Sequence, residues 1–145
     1  MIAGEKAAVE KACELASAKG AKRAKPLPVS APFHCALLEP AGEKLAQALE
    51  DVPVADMQIP VYTNVTAQPV PSAADIRSTL VKQVSSPVRW EATIRNMLAD
   101  GVDTFVEIGP GKTLTSFVKK IDRAALAMNA ENVETLQAVL QQFAK

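Results

Sequence analysis

Residues 104–121 read TFVEIGPGKTLTSFVKKI, and this stretch indicates the fold class more clearly than any other part of the chain. Its first five residues are mostly apolar, β-branched or aromatic, which predicts a buried strand. Two glycines follow and predict a tight turn. The remaining residues carry apolar side chains at helical spacing, namely Leu114, Phe117, Val118 and Ile121. A strand that leads through a turn into a helix is typical of an α/β protein with a parallel sheet.

The rest of the chain predicts further helices and strands around this unit. Apolar periodicity and capping signals predict helices at about 5–19, 34–50, 72–84, 90–100 and 133–143. Strand-like segments lie at 25–29, 59–65 and 124–128. Pro40 is expected to tighten or kink the second helix, and Ser72 with Asp75 resembles a capping box. Strands separated by such helices predict an α/β fold with a mainly parallel sheet and flanking helices.

The composition argues against several classes of protein. The chain has 145 residues, of which 48% are hydrophobic and 22% charged, so a packed core is expected. Its 16 basic and 16 acidic residues give no net charge, so neither nucleic-acid binding nor a membrane-surface role is expected. No signal-peptide core is visible, and no apolar run reaches the ~18 residues of a membrane span, which predicts a soluble, cytoplasmic protein. Two cysteines, Cys13 and Cys35, are too few for a disulfide scaffold or a cysteine metal site.

The glycine turn completes no nucleotide-binding motif. A P-loop would need glycine where the chain has Val106, and a dinucleotide fingerprint would need glycine where it has Leu114. We therefore interpret Gly109 and Gly111 as turn residues with positive φ, and we predict no nucleotide affinity. The sequence also lacks a Gly-x-Ser-x-Gly nucleophile elbow, and its single histidine predicts no metal site.

That histidine, His34, is the candidate catalytic residue. It joins a proline-rich extended segment to the start of a predicted helix, a junction that can present a side chain into a cleft. A histidine without any role is the alternative, and the residues alone favour it. Neither neighbour supplies a nucleophile, because adjacent helical residues such as Cys35 point about 100° apart and Ser30 lacks a glycine-flanked elbow. If His34 is a general base, its partner lies outside this chain.

Four segments in colinear order resemble the malonyl-CoA:acyl-carrier-protein transacylase family. They are residues 26–38 (PLPVSAPFHCALL), 59–65 (IPVYTNV), 80–90 (LVKQVSSPVRW) and 106–114 (VEIGPGKTL). The resemblance implies that residues 30–145 are the C-terminal part of an α/β-hydrolase-like acyltransferase core and that residues 1–29 are a remnant of a small ferredoxin-like subdomain. It implies transfer of a malonyl group from coenzyme A to the phosphopantetheine thiol of acyl carrier protein in fatty acid biosynthesis, with no cofactor beyond the coenzyme A thioester substrate.

The resemblance also implies roles for three residues. His34 matches the family's histidine, which is general base and acid for a serine nucleophile. Gln83 matches the position whose backbone carbonyl orients that histidine, as an aspartate does in a hydrolase triad, and an ordinary solvated glutamine is the alternative. Phe33 resembles the residue that favours malonyl over branched acyl groups, although a simple packing role is equally open.

The chain is expected to be a fragment that is inactive alone. The family's serine, its oxyanion loop and the arginine that pairs with the malonate carboxylate would all lie before Met1. A parallel sheet of three or four strands also leaves edges and faces uncovered. The expected partners are malonyl-CoA, acyl carrier protein and the missing N-terminal half of the enzyme. A non-catalytic module that binds a complementary chain or a carrier protein is the alternative function, and an acyl hydrolase is a weaker one.

Overall fold

The computed structural model describes residues 2–29 and 31–144, so Ser30 lies outside the described residues. The helices are α1 (Lys6–Ala18), α2 (Glu39–Ala48), α3 (Ala73–Ser85), α4 (Trp90–Ala99), α5 (Thr113–Ile121) and α6 (Val133–Phe143), and the strands are β1 (Thr104–Ile108) and β2 (Leu126–Ala130). A short 3-10 helix, Ala36–Leu38, precedes α2. The predicted α/β fold with a small parallel sheet and flanking helices is confirmed. The chain divides into two compact units, Met1–Arg89 and Trp90–Lys145.

The second unit is built on a βαβ arrangement. Strands β1 and β2 are parallel and pair from Thr104 opposite Leu126 to Ile108 opposite Ala130, with α5 connecting them. The centre of the core is formed by Ile94, Val118 and Ala127, of which at most 5% is exposed. Further side chains packed against this centre are Trp90, Met97, Leu98, Phe105, Ile121 and Ala125. Each fully buried large apolar side chain stabilises a fold by about 1.5–3 kcal/mol, so these contacts hold the helices on the sheet.

The turn between β1 and α5 has the predicted conformation, and a carboxylate closes the start of the helix. Gly109 and Gly111 have φ values of 136° and 86°, which confirms the positive φ expected for both. The carboxylate of Glu107 accepts hydrogen bonds from the backbone N–H of Leu114 at 3.1 Å and of Thr115 at 2.8 Å, and from the Thr115 hydroxyl at 2.8 Å. An anion of the protein itself therefore occupies the helix end where a P-loop would hold phosphate.

In the first unit, α3 packs closely against α2 and holds its C-terminal end. A Cβ atom added at Gly42 would lie 3.4 Å from the backbone oxygen of Val81, which is already van der Waals contact, so the two helices approach closely at this point. Arg77 on α3 donates to the backbone oxygen of Leu49 at 2.8 Å and to that of Val52. Both helices also contact the 3-10 helix. The segment that follows His34 is therefore supported from two sides.

Three predictions for the first unit are wrong. The strand expected at 59–65 is reduced to one antiparallel bridge between Tyr62 and Pro69, because the chain turns back and the Ala67 N–H bonds to the Thr63 oxygen at 2.9 Å. Residues 25–29 form no strand. The helix expected from residue 34 begins as the 3-10 helix and becomes α-helical at Glu39. Pro40 then lies in the first turn, where its missing N–H costs nothing and no kink is needed.

Two boundary signals also differ from expectation. The Ser72 hydroxyl donates to the Asp75 carboxylate at 2.7 Å, but its side chain caps no backbone N–H of α3, and the Asp75 N–H bonds to the Ser72 carbonyl oxygen at 3.1 Å, so the predicted capping box is not formed. Strand β2 begins at Leu126 rather than at residue 124, because the Ala124 N–H is held in a turn by the Asp122 side chain at 2.7 Å. The helices predicted at 5–19, 72–84, 90–100 and 133–143 are confirmed to within one residue at each end, and β1 matches its predicted range.

Candidate active site around His34

His34 lies in a turn just before the 3-10 helix, and its backbone is left-handed, with φ of 60°. Few residues other than glycine adopt this region, although histidine is among those enriched there. The turn is held by a hydrogen bond from the Phe33 N–H to the Ala31 oxygen at 2.9 Å and by one from the Cys35 thiol to the Pro32 oxygen at 3.1 Å. Left-handed backbone at a non-glycine residue costs on the order of 1–3 kcal/mol, and such strain concentrates at functional sites.

The imidazole of His34 contacts the end of α3. Its Nδ1 atom lies 3.3 Å from the backbone oxygen of Gln83. A carbonyl oxygen can only accept a hydrogen bond, so Nδ1 donates, and this acceptor assigns the tautomer with its proton on Nδ1. The lone pair of Nε2 is then free to accept a proton. The structure thus brings together the two residues to which the resemblance assigned the chemistry, while their catalytic roles stay a proposal.

The Gln83 oxygen is available to His34 because of where α3 ends. In a continuing α-helix this oxygen would accept the N–H of residue 87, which is Pro87 and has none. Proline also disfavours helical backbone in the residue before it, and Ser86 is extended, with φ of −102° and ψ of 149°. The helix therefore stops at Ser85 and leaves the Gln83 oxygen among its terminal carbonyls.

The side chain of Gln83 is engaged as well. Its Oε1 atom accepts the backbone N–H of Asn64 at 2.7 Å. The backbone oxygen of Asn64 in turn accepts the N–H of Arg89 at 3.0 Å. The loop at 61–70 is therefore attached both to the last turn of α3 and to the segment that follows it. A solvated glutamine at a helix end would leave its oxygens to water, whereas both oxygens of Gln83 accept hydrogen bonds from the protein.

The location of the Gln83 oxygen also matters electrostatically. The C-terminal end of a helix carries a partial negative charge of roughly half an elementary charge. Because His34 contacts this end through Nδ1, the ring faces the partial negative charge of the helix. A triad aspartate presents a full negative charge in the corresponding place.

The other residues singled out in the sequence lie near His34 along the chain. Phe33 precedes it directly and is 49% exposed, so its ring is not part of the core of the described structure. The thiol of Cys35, which is half-buried, donates to the Pro32 oxygen within its own turn. Sequence reasoning missed Asn64 and Pro87. The spacing of four residues from Gln83 to Pro87 is the signal that could have identified the proline.

Within the part of the chain that the structure describes, no three His, Cys, Asp or Glu side chains come together as a possible metal site. Over the same residues, no helix combines the length and the apolar content needed to cross a membrane.

Comparison with known proteins identifies the family. Residues 1–143 match the acyl transferase domain family. The chain belongs to this family. The malonyl CoA-acyl carrier protein transacylase of Bacillus subtilis (strain 168) is 45% identical over 141 residues, which are 97% of this chain and 44% of the relative. The enzyme of the same name from Escherichia coli (strain K12) is 41% identical over 141 residues, with 97% and 46% covered.

Solved acyltransferase structures agree with these relatives. The acyl-carrier-protein S-malonyltransferase from Burkholderia pseudomallei 1710b superposes with a TM-score of 0.90 at 43% identity, covering 95% of this chain and 45% of that one. A malonyl-transacylase solved in complex with a type II PKS acyl-carrier protein superposes with a TM-score of 0.91 at 43% identity, with 96% and 45% covered. The resemblance to malonyl-CoA:acyl-carrier-protein transacylases is thereby confirmed, and the chain spans less than half the length of the curated relatives it matches.

Proposed function

We propose that this chain supplies the histidine of an acyltransferase that moves a malonyl group from coenzyme A to the phosphopantetheine thiol of acyl carrier protein in fatty acid biosynthesis. The contact of 3.3 Å between His34 Nδ1 and the Gln83 oxygen carries the proposal, in a chain of the acyl transferase domain family. The names of the relatives support malonyl-CoA as the substrate. The related transacylase solved with an acyl-carrier protein supports that partner.

In this proposal His34 acts first as a base and then as an acid. With the Nδ1 proton held by Gln83, Nε2 accepts the proton of a serine hydroxyl while the serine oxygen attacks the malonyl thioester carbonyl. When the carbon–sulfur bond breaks, Nε2 returns the proton to the departing coenzyme A thiolate, and a malonyl ester remains on the serine. The phosphopantetheine thiol then gives its proton to Nε2 and attacks the ester carbonyl. When the bond from this carbon to the serine oxygen breaks, the proton passes to that oxygen, and malonyl is left as a thioester on the carrier protein.

Phe33 is assigned to the acyl-group pocket. Its ring is 49% exposed and directly precedes the turn that carries His34, so it is available to a bound substrate. A bulky aromatic ring at this point leaves little room for an α-methyl group and would favour malonyl over branched acyl groups.

The serine, the oxyanion loop and the malonate-binding arginine are assigned to the N-terminal half of the same enzyme, which is the proposed partner chain. Uncovered apolar surface in the second unit supports such a partner, since Ile108 on β1 is 85% exposed and Val133 on α6 is 71% exposed. Both border a groove of about 400 Å³ that is also lined by Val106, Leu136 and Val139. Apolar surface of this kind marks sites of association.

The domain assignment and the location belong to the same proposal. Residues 1–29 are taken as a remnant of a small ferredoxin-like subdomain and residues 30–145 as the C-terminal part of the acyltransferase core. A cytoplasmic location follows from the proposed place of the reaction in fatty acid biosynthesis.

Malonyl transfer by the enzyme reassembled from this chain and a serine-bearing complementary half tests the proposal. We expect His34→Ala to slow transfer by about two to four decades, as is typical for loss of a general acid–base. Gln83→Ala should slow it by less than about tenfold, because the contact with His34 uses the backbone and only the hydrogen bond to Asn64 is lost. Wild-type rates in His34→Ala would show that His34 is structural.

Intact-mass measurement separates this function from that of a binding module. Malonyl-CoA should acylate the reassembled enzyme, and the mass increase should be absent from this chain alone. Acylation of the isolated chain would mean that it carries its own nucleophile. Tight association of the two halves without any transfer would favour the non-catalytic module. A loss in Gln83→Ala as large as that in His34→Ala would contradict the backbone assignment.

A further inference from the structure

The last turn of α3 contains two features that the proposed chemistry does not itself require. Pro87 stands four residues after Gln83, and the Gln83 side chain is bonded to a loop rather than to solvent. We propose that Pro87 and the Gln83 side chain are positioning residues for His34. Pro87 keeps the Gln83 carbonyl free of a helical donor, and the Gln83 amide fixes the direction of that carbonyl through Asn64. The inference rests on the proposed role of His34, but its first test requires no acyl transfer.

Pro87 acts on the Gln83 carbonyl because it has no backbone N–H to donate. Any other residue at this position would carry an N–H that bonds to the Gln83 oxygen in place of His34 once α3 continues to residue 87. Loss of the proline would also release Ser86 from its extended conformation and allow α3 to continue. Continuation would draw Arg89 away from Asn64, whose oxygen accepts the Arg89 N–H at 3.0 Å. The proline therefore ends the helix at the one point that leaves this carbonyl to His34.

The Gln83 side chain acts by fixing a helix end, a part of a helix that tends to fray. A cavity of about 250 Å³ borders Gln83 beside Tyr62 and Thr63, so packing alone leaves Gln83 room to move. The hydrogen bond of 2.7 Å from the Asn64 N–H to Oε1 restricts that movement. The loop that carries Asn64 is itself braced, because the Val70 N–H bonds to the Val61 oxygen at 2.9 Å. The Gln83 side chain is thus hydrogen-bonded to a loop that is itself held by a backbone hydrogen bond.

The expected consequence is a bias between the two neutral forms of the His34 ring. A fixed carbonyl beside Nδ1 favours the tautomer with its proton on Nδ1, which is the form whose Nε2 can act as a base. A loosened or competing carbonyl reduces this bias. Since substrate does not contact Pro87 or the Gln83 amide in this scheme, kcat should fall while KM is unchanged.

NMR of the ring nitrogens measures this bias directly. The chain contains a single histidine, so every imidazole signal belongs to His34. At alkaline pH, where the ring is neutral, we expect Pro87→Ala to reduce the ratio of the Nδ1–H to the Nε2–H form about fivefold, the equivalent of one net hydrogen bond. Pro60→Ala is the matched control, because Pro60 is exposed in a loop and follows no helix end. It should leave the ratio unchanged.

A second pair of variants separates the missing N–H from the stiffness of proline. Pro87→Gly restores the N–H as Pro87→Ala does, so both should change the ratio alike, whereas a role for stiffness alone would make the glycine variant far worse. In Pro87→Ala the new amide should be protected from hydrogen exchange by the Gln83 oxygen. Gln83→Glu keeps a side-chain oxygen for Asn64 and should retain the wild-type ratio, while Gln83→Ala should reduce it about fivefold.

Circular dichroism identifies variants that do not fold, and if the Pro87 variants fail this check, the two Gln83 variants decide the question. Wild-type ratios in folded Pro87→Ala and Gln83→Ala would overturn the proposal. In the reassembled enzyme both variants should lower kcat about fivefold at constant KM. A lower kcat without a change in the tautomer ratio would also overturn it. A changed ratio without any loss of kcat would instead refute His34 as the proton carrier and leave the positioning intact.

Discussion

Replacing His34 by glycine and by alanine tests the left-handed backbone at this position. Both substitutions remove the imidazole and its contact with Gln83, so the difference between the two variants depends on the backbone alone. At φ of 60° the Cβ atom of alanine crowds the following carbonyl, which costs roughly 1–2 kcal/mol. Glycine has no Cβ atom and avoids this cost.

The expected difference follows from two opposing effects. Glycine loses about 0.5–1 kcal/mol more than alanine in conformational freedom on folding. Subtracting this from the steric cost of alanine leaves His34→Gly more stable than His34→Ala by up to about 1.5 kcal/mol, and by about 0.75 kcal/mol at the midpoints of the two ranges. In a helix the order is the reverse, because a glycine variant there is less stable than the alanine variant. Ala138 is exposed in the middle of α6, and Ala138→Gly should destabilise the chain by about 1 kcal/mol.

Urea unfolding monitored by circular dichroism provides the measurement, with midpoints compared at a common slope and repeated at several protein concentrations. His34→Gly should unfold at a higher urea concentration than His34→Ala, and Ala138→Gly at a lower one than the wild type. If the glycine variant at position 34 is instead the less stable of the two by the margin that Ala138→Gly shows, the turn is not left-handed in solution and the strain argument fails.

Three further predictions concern the second unit. The hydrogen bond from the Thr115 backbone N–H lowers the pKa of Glu107 below its ordinary value of 4.5. The carboxylate therefore stabilises the folded chain above pH 4.5, and this stabilisation is lost as the pH falls through the lowered pKa. Glu107→Gln should therefore destabilise the chain at pH 7, with a difference from wild type that shrinks on acidification; a difference independent of pH would contradict this. Calorimetry should detect no saturable binding of ATP or NAD, because Glu107 already occupies the start of α5, and micromolar affinity would refute that interpretation. Light scattering should show that the isolated chain associates through its uncovered apolar surface and that Ile108→Lys weakens this association, whereas a monodisperse wild-type monomer that binds no hydrophobic dye would contradict it.

Local sequence patterns predicted most of the helices and β1, but they failed where the chain depends on distant partners. The alternation in residues 59–65 is that of a strand, yet a strand needs a neighbour, and this segment turns back on itself at Ala67 instead. The contact between His34 and Gln83 joins residues that are 49 positions apart, and no local pattern contains it. The resemblance to a family brought those two residues together in advance. Pro87 was visible in the sequence, but its meaning depends on knowing that His34 uses the carbonyl four residues earlier.

The pair of His34 and Gln83 shows what a helix end offers in place of a carboxylate. A carboxylate beside a histidine can itself take up a proton, and its charge must be held in a partly buried position. A backbone carbonyl cannot be protonated at any working pH, and at the C-terminus of α3 it still presents partial negative charge to the ring. The use of a backbone carbonyl also determines which substitutions can remove the acceptor. No change of side chain at Gln83 removes the acceptor, whereas a change that lets the helix continue past Ser86 does. In the proposed scheme the orientation of His34 therefore depends on Pro87, which ends α3, as well as on the Gln83 side chain that fixes the carbonyl.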